Sequence, residues 1–154
     1  IAGMSITDAR DEVIDFTQNY TQPDPSAYLA MSEDVDLSGG VIAAQAGTIQ
    51  ASHVADSGAT VIEFATPDET IAALRNGEAD AVLADKAFLV PFAEENADLM
   101  LVGEDVLLGG GIGMGLRASD DELEAKFNAA IQSMKDDGTL NALIEKWLPE
   151  SATF

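Results

Sequence analysis

Val41-Ile42-Ala43-Ala44-Gln45-Ala46-Gly47-Thr48-Ile49-Gln50 is the stretch that decides the fold. The apolar run that opens it follows a Ser38-Gly39-Gly40 breaker and reads as a short buried strand. Ala46-Gly47-Thr48 then turns the chain into a helix expected from Ile49 to about Ser57, closed by Gly58. The same alternation continues downstream. Val61-Ile62-Glu63-Phe64 is the next strand, and Thr66-Pro67-Asp68-Glu69 opens a helix with an N-cap threonine, a proline at the first helical position and an acid at the third. That helix should turn Ile71, Ala72 and Leu74 inward and stop at Asn76-Gly77. Residues 79–84 form a further strand with Asp85 at its carboxyl end, then a helix from about Lys86 to Glu95 and a strand over 99–102. Strands and helices in this order imply an α/β fold, with a mainly parallel sheet flanked by helices on both faces.

The C-terminal third has another character. Gly109 to Leu116 is glycine-rich and extended, and Ser119-Asp120-Asp121-Glu122 reads as a second capping box. Leu123, Phe127, Ile131 and Met134 share one helical face, and after Gly138 a last helix presents Leu140, Leu143, Ile144, Trp147 and Leu148 before Pro149. These stripes are core packing rather than a cofactor box. The sheet of residues 41–102 already has its own helices, so the stripes belong to a second lobe.

Composition bounds the function. A chain of 154 residues with 47% hydrophobic content can bury a core. No apolar run approaches the roughly 20 residues that cross a bilayer, so no membrane insertion is expected. Ile1-Ala2-Gly3-Met4-Ser5 has neither a basic nor an apolar leader segment and no initiator methionine, which suggests a mature, cleaved or truncated chain. Cysteine is absent, which excludes a disulfide framework and thiolate metal sites. With 28 acidic and 7 basic residues the net charge is −21, a field that opposes nucleic acid and anionic membrane. A mean hydropathy of +0.08 argues against disorder, so the charge reads as a solvated acidic surface.

Three local features could carry chemistry. Gly3-Met4-Ser5-Ile6-Thr7-Asp8-Ala9-Arg10 offers Thr7 as the N-cap of a helix running through Val13 and Ile14. Its Arg10 is either a surface charge or a fork for a carboxylate. Gly47-Thr48-Ile49-Gln50 is a strand-to-helix turn whose backbone N–H groups can hold an anion, as most such turns do not. Asp85, at a strand's carboxyl end, is either the N-cap of the next helix or an acid for an ammonium group. The glycines between Gly109 and Gly115 do not match the dinucleotide-binding fingerprint. His53, the only histidine, has no evident partner, and no metal or nucleophile pattern is present.

Residues 2–10, with Val13-Ile14-Asp15-Phe16-Thr17 and Tyr20, resemble the central signature of extracytoplasmic solute-binding proteins of family 3, the polar and basic amino-acid receptors of ABC importers. Gly47-Thr48 with Gln50, Gly77-Glu78-Ala79-Asp80-Ala81 and Asp85 continue the resemblance. Gly113-Met114-Gly115-Leu116-Arg117, Met134, Asp137-Gly138-Thr139 and Trp147-Leu148 extend it to the C-terminus. It is best to the lysine/arginine/ornithine-, histidine- and glutamine-binding receptors.

That family implies a periplasmic-binding-protein-like, two-lobe fold closing on one free amino acid, polar or basic. By resemblance, Arg10 pairs with the ligand α-carboxylate, helped by the backbone N–H groups of Ser5 and Ile49. The Gly3 carbonyl, the Ser5 hydroxyl and Asp85 hold the α-ammonium. Thr48 shapes the turn, Gln50 reaches the ligand, and Gln45 and Ala84 read its side chain. Residues 27–110 are expected as the complete second lobe, and 1–22 with 112–154 as a remnant of the first, whose N-terminal part is missing, with crossovers near 23–27 and 109–113. The remnant's uncovered faces would recruit a second copy as a dimer or swapped assembly, stay disordered, or take a separate fragment. The resemblance further implies a periplasmic or extracellular location, a signal peptide in the parent protein, importer membrane subunits as partners, and no catalytic residue, cofactor or metal. A cyclohexadienyl or arogenate dehydratase-like enzyme and the sensing module of a membrane receptor are the alternatives on the same fold.

Overall fold

The computed structural model describes residues 1–149 and 151–154. It divides into two compact units, Pro25–Leu108 and the pair of segments Ile1–Asp24 and Gly109–Phe154.

The unit Pro25–Leu108 is an α/β layer structure. Its strands are β3 (Pro25–Ala30), β4 (Val41–Gln45), β5 (Thr60–Phe64), β6 (Ala81–Asp85) and β7 (Met100–Leu107), joined in the order β5-β4-β6-β3-β7. β4 runs parallel to β5 and β6, whereas β3 is antiparallel to both of its neighbours. The sheet is therefore mixed: four strands point one way and the reversed β3 lies between β6 and β7.

Nothing in the sequence pattern announced β3. Pro25-Ser26-Ala27-Tyr28-Leu29-Ala30 lacks the β-branched residues that mark a strand, yet every residue from Ser26 to Ala30 is buried. Strand preference measures fit to a packed, pleated surface, and small residues suit a strand covered on both faces. Proline is tolerated there because it is the strand's first residue. β7 outruns its apolar segment because it is an edge strand, where Glu104 and Asp105 can face water. The β3–β7 register shifts between Ser26 and Tyr28, opposite Gly103, whose φ is +70°. The positive φ is what requires glycine there; a Cβ would come within 2.7 Å of Leu37 Cδ1, the mobile end of a half-buried side chain.

Successive strand residues point to opposite faces. Ala27, Leu29, Ala43 and Val82 meet Ile71, Ala73 and Leu74 of α3 (Pro67–Asn76) and Leu89 of α4 (Lys86–Glu95). On the other face Tyr28, Ala30, Ile42, Ala81 and Leu83 meet Val54 of α2 (Ile49–Ser57). The caps of α2 and α3 form as the sequence indicates. Thr48 Oγ1 accepts from the Ala51 N–H, Gly58 closes α2 in the left-handed region, and Thr66 and Glu69 make a reciprocal capping box. Along α3 the inward residue is Ala73 rather than Ala72, because at 100° per residue position 72 lies opposite the face shared by Thr70, Ile71 and Leu74.

In the other unit β1 (Met4–Ser5) pairs with β8 (Ile112–Gly113) and β2 (Asp15–Phe16) with β9 (Gly115–Leu116), both antiparallel. α1 (Asp8–Asp11) is capped by Thr7 but spans a single turn, not a helix through Val13 and Ile14. The N–H groups of Val13 and Ile14 both close on the Arg10 carbonyl, and the chain then enters β2. The second capping box does not form. α5 (Asp121–Asp136) has Asp120 at its N-cap without a side-chain cap bond; that carboxylate lies 3.7 Å from Arg117 Nη1 instead. α5 and α6 (Thr139–Trp147) bury Ile131, Leu140 and Ile144, while Leu123, Leu143, Trp147 and Leu148 of the expected core stripes stay exposed.

Two outcomes test this arrangement. Leu29, wholly buried in β3, should cost about 2–5 kcal/mol when cut to alanine, against about 0.5 kcal/mol or less for exposed Leu107→Ala, both read by urea unfolding. Equal small effects would contradict the central placement of β3. Asp36 accepts from the Ser38 hydroxyl and from the N–H groups of Ser38 and Gly39, and these bonds hold its carboxyl below the ordinary carboxylate range. A lowered folded value makes this stabilisation complete above about pH 4 and lost as the pH falls through that value. The stability gap between the natural protein and Asp36→Asn should therefore be present at neutral pH and shrink in acid; a gap constant down to pH 2 would refute it.

Candidate ligand-binding site

Parallel strands deliver their ligand groups at their carboxyl ends, and in the unit Pro25–Leu108 the ends of β4 and β6 open onto a hollow of about 200 Å³. Gln45, Thr48, Gln50, Ala84 and Asp85 line it, all singled out from sequence. Pro67, Leu83 and Phe88 give it apolar walls, with Thr70 beside them.

The turn into α2 is tightly specified. Gly47 has φ +73°, and an added Cβ would touch nothing within 4 Å, so glycine is needed there for its backbone angle alone. Its N–H donates to Glu63 Oε2 at 3.3 Å. Thr48 Oγ1 donates to the Gln45 carbonyl at 2.7 Å while accepting from Ala51. Gln45 in turn donates from Nε2 to the Ala65 carbonyl at 3.2 Å. Ile49 is the first residue of α2, so its N–H belongs to the helix start that lacks intrahelical acceptors. Ile49 does not line the hollow.

Asp85 is solvent-exposed at the end of a strand whose first three residues are buried. It occupies the N-cap position of α4 but makes no side-chain cap bond. Its Oδ1 instead accepts from Gln50 Nε2 at 2.7 Å, and the same nitrogen donates to Ser26 Oγ at 3.0 Å. Ser26 and Asp85 are direct partners in the β3–β6 register. Gln50, expected as a ligand contact, is nine-tenths buried with both amide hydrogens engaged inside the protein. Ser26, Thr70 and Phe88 escaped sequence reading. Ser26 could have been found only with β3 in hand.

The other unit assembles a second cluster. Thr7 fixes the start of α1, which carries Arg10 back toward β1, and Arg10 Nη1 donates to the Ser5 carbonyl at 3.0 Å. Backbone bonds from Ile6 to Gly111 and from Gly110 to Ile6 pin this loop. Gly3 is exposed with φ +79°, and both Ser5 and Arg10 are half-buried. A guanidinium held in this way can take a carboxylate through paired N–H donors.

Lys86, the one other cation near the hollow in sequence, is tied to Asp105 at 2.6 Å. Among the described residues no group of three potential metal ligands exists, and no helix is long and apolar enough to cross a membrane. A larger, mainly apolar groove of about 700 Å³ lies in the unit of α5 and α6, lined by Ile1, Val13, Met114, Leu123 and Phe127 among others, and holds none of the expected site residues.

Residues 1–150 match the model of the bacterial extracellular solute-binding proteins, family 3. The glutamine-binding protein of an ABC transporter in Bacillus subtilis is 26% identical over 97% of this chain and 57% of its own length. The ABC transporter arginine-binding protein 1 of Escherichia coli is 28% identical over 97% of this chain and 65% of its own. The chain thus spans about three fifths of the curated relatives it matches. A periplasmic His/Glu/Gln/Arg/opine family-binding protein from Silicibacter pomeroyi, solved in complex with lysine, is 65% identical with a TM-score of 0.93, over 100% of this chain and 71% of that one.

Proposed function

From the premise that the chain belongs to the bacterial extracellular solute-binding proteins of family 3, we propose that it captures a free amino acid with a basic side chain outside the cytoplasm and delivers it to an ABC importer. The relatives reported above are named as binding proteins, not enzymes, and this chain likewise captures its ligand without transforming it.

One observation carries the proposal. The Asp85 carboxylate lines a hollow with apolar walls and accepts a hydrogen bond from a buried amide at 2.7 Å. An exposed acid so directed is suited to an ammonium group. Arg10 supplies the complementary group for a carboxylate, and an α-amino acid carries both charges. Gly3 and Ser5 belong with Arg10 in this reading, and Thr48 and the Ile49 N–H with the anion-binding helix start. Gln45 and Ala84 face the ligand side chain. Residues 27–110 act as one lobe, and residues 1–22 with 112–154 contribute to the other.

The preference for a basic side chain rests on four supports. The 65%-identical Silicibacter protein was solved with lysine. Lys86, which could have matched an acidic side chain, is neutralised by Asp105. A net charge of −21 attracts cations at long range. The walls of Leu83 and Phe88 suit an alkyl stem.

Calorimetric titration with lysine tests this directly. Each charge-assisted bond is worth about 1.5–3 kcal/mol, so Arg10→Ala and Asp85→Ala should each weaken lysine binding roughly 10- to 150-fold. Undiminished affinity in either variant would overturn that residue's role, and absence of lysine and arginine binding to the natural protein would overturn the preference for a basic side chain.

A further inference from the structure

We propose that Gln50 is a positioning residue for ammonium recognition: its side-chain amide ties the Asp85 carboxylate to the buried Ser26 hydroxyl and so sets the direction in which the acid meets a ligand cation. The inference deepens the amino-acid-binding reading above and rests on it.

The geometry leaves little freedom in how this cluster is wired. A carboxylate oxygen accepts and an amide nitrogen donates, so the contact of 2.7 Å requires Gln50 to face Asp85 with Nε2 and to turn Oε1 away. The second amide hydrogen goes to Ser26 Oγ at 3.0 Å. Ser26 is 1% exposed and Gln50 6% exposed, so both are held by packing. Three elements therefore meet at one nitrogen: α2 through Gln50, β3 through Ser26 and β6 through Asp85. The position of Gln50 is itself fixed, because the Thr48 cap and the Gly47 turn determine where α2 begins.

A purely structural role does not explain the third member. Ser26 takes one amide hydrogen of Gln50 and the other needs an acceptor but not a charge, so hydrogen-bond satisfaction alone does not call for a carboxylate at the end of β6. What the bond to Gln50 adds is orientation. Each bond that an exposed aspartate makes narrows the rotamers open to it, and an acid already directed spares a ligand the loss of ordering it on binding. Gln50 acts through Asp85 and does not itself reach the ligand with its donors.

The test compares the natural protein with Gln50→Leu, which keeps volume and removes the donor, and with Ser26→Ala. Competition binding is measured with lysine and with 6-aminohexanoic acid, which keeps the side-chain amine and the carboxylate but lacks the α-amine. Gln50→Leu should weaken lysine binding by about tenfold or more, the effect of one misdirected charge-assisted contact, and leave 6-aminohexanoic acid within about twofold, so that the affinity ratio between the two ligands collapses. Ser26→Ala should lower the same ratio by a smaller factor. An unchanged ratio, with both ligands weakened alike, would overturn the proposal in favour of a general structural role. A ligand-free signal separates this from the parent reading: the Gln50 side-chain amide resonances should move on Asp85→Asn substitution. If the natural protein binds neither ligand, the basic-amino-acid reading fails, while unmoved amide resonances would overturn the Gln50–Asp85 link itself.

Discussion

The hydrogen bond between Gln50 and Asp85 joins the first turn of a helix to the last residue of a strand, and the sheet of the unit Pro25–Leu108 is arranged so that this bond can exist. β6 is buried through Leu83, half-buried at Ala84 and exposed at Asp85. The parallel pairing with β4 brings the α2 start beside that end, and the antiparallel β3 places Ser26 across from the acid. Remove the reversal of β3 and no hydroxyl would stand at that register position. The charge itself stays at the surface, where solvation is cheap, while the groups that aim it are buried and cannot wander. The cost of holding a charge and the precision of its direction are thereby assigned to different residues.

Charge distribution follows a similar logic. A chain with 28 acids and 7 bases must hold its cations deliberately. Arg75 lies 4.0 Å from Asp98, Lys86 pairs with Asp105 and Arg117 lies beside Asp120; all are exposed contacts of small energetic weight. Lys135 is different: it donates to Gln18 at 3.0 Å and lies 3.9 Å from the Phe154 ring centroid, and burial pulls its ammonium below the usual lysine range. Arg10 is set against the Ser5 carbonyl on a loop pinned by backbone bonds. Such pinning is what a carboxylate-binding fork requires, since an arginine free to rotate loses much of its bidentate advantage.

Much of this was legible in the sequence, and the failures are instructive. The strands at Val41, Val61 and Ala81 and the helices capped by Thr48 and Thr66 were readable because local chemistry and hydrophobic pattern agreed. β3 was invisible because its alanines and serine qualify as a strand only through burial under helices on both faces, a tertiary condition. The Ser119-Asp120-Asp121-Glu122 box failed because Asp120 sits at the cap position and turns toward Arg117. At the site, Asp85 and Gln50 could be named but not connected, since 35 residues separate them and only the sheet register brings them together.

The most direct measurement is a crystal structure of the protein with lysine. The account predicts the α-ammonium nitrogen at about 2.7–3.2 Å from an Asp85 carboxylate oxygen, with Gln50 Nε2 still donating to that carboxylate. A bound lysine whose α-ammonium lies away from Asp85, or an Asp85 turned from Gln50 to reach it, would contradict the account.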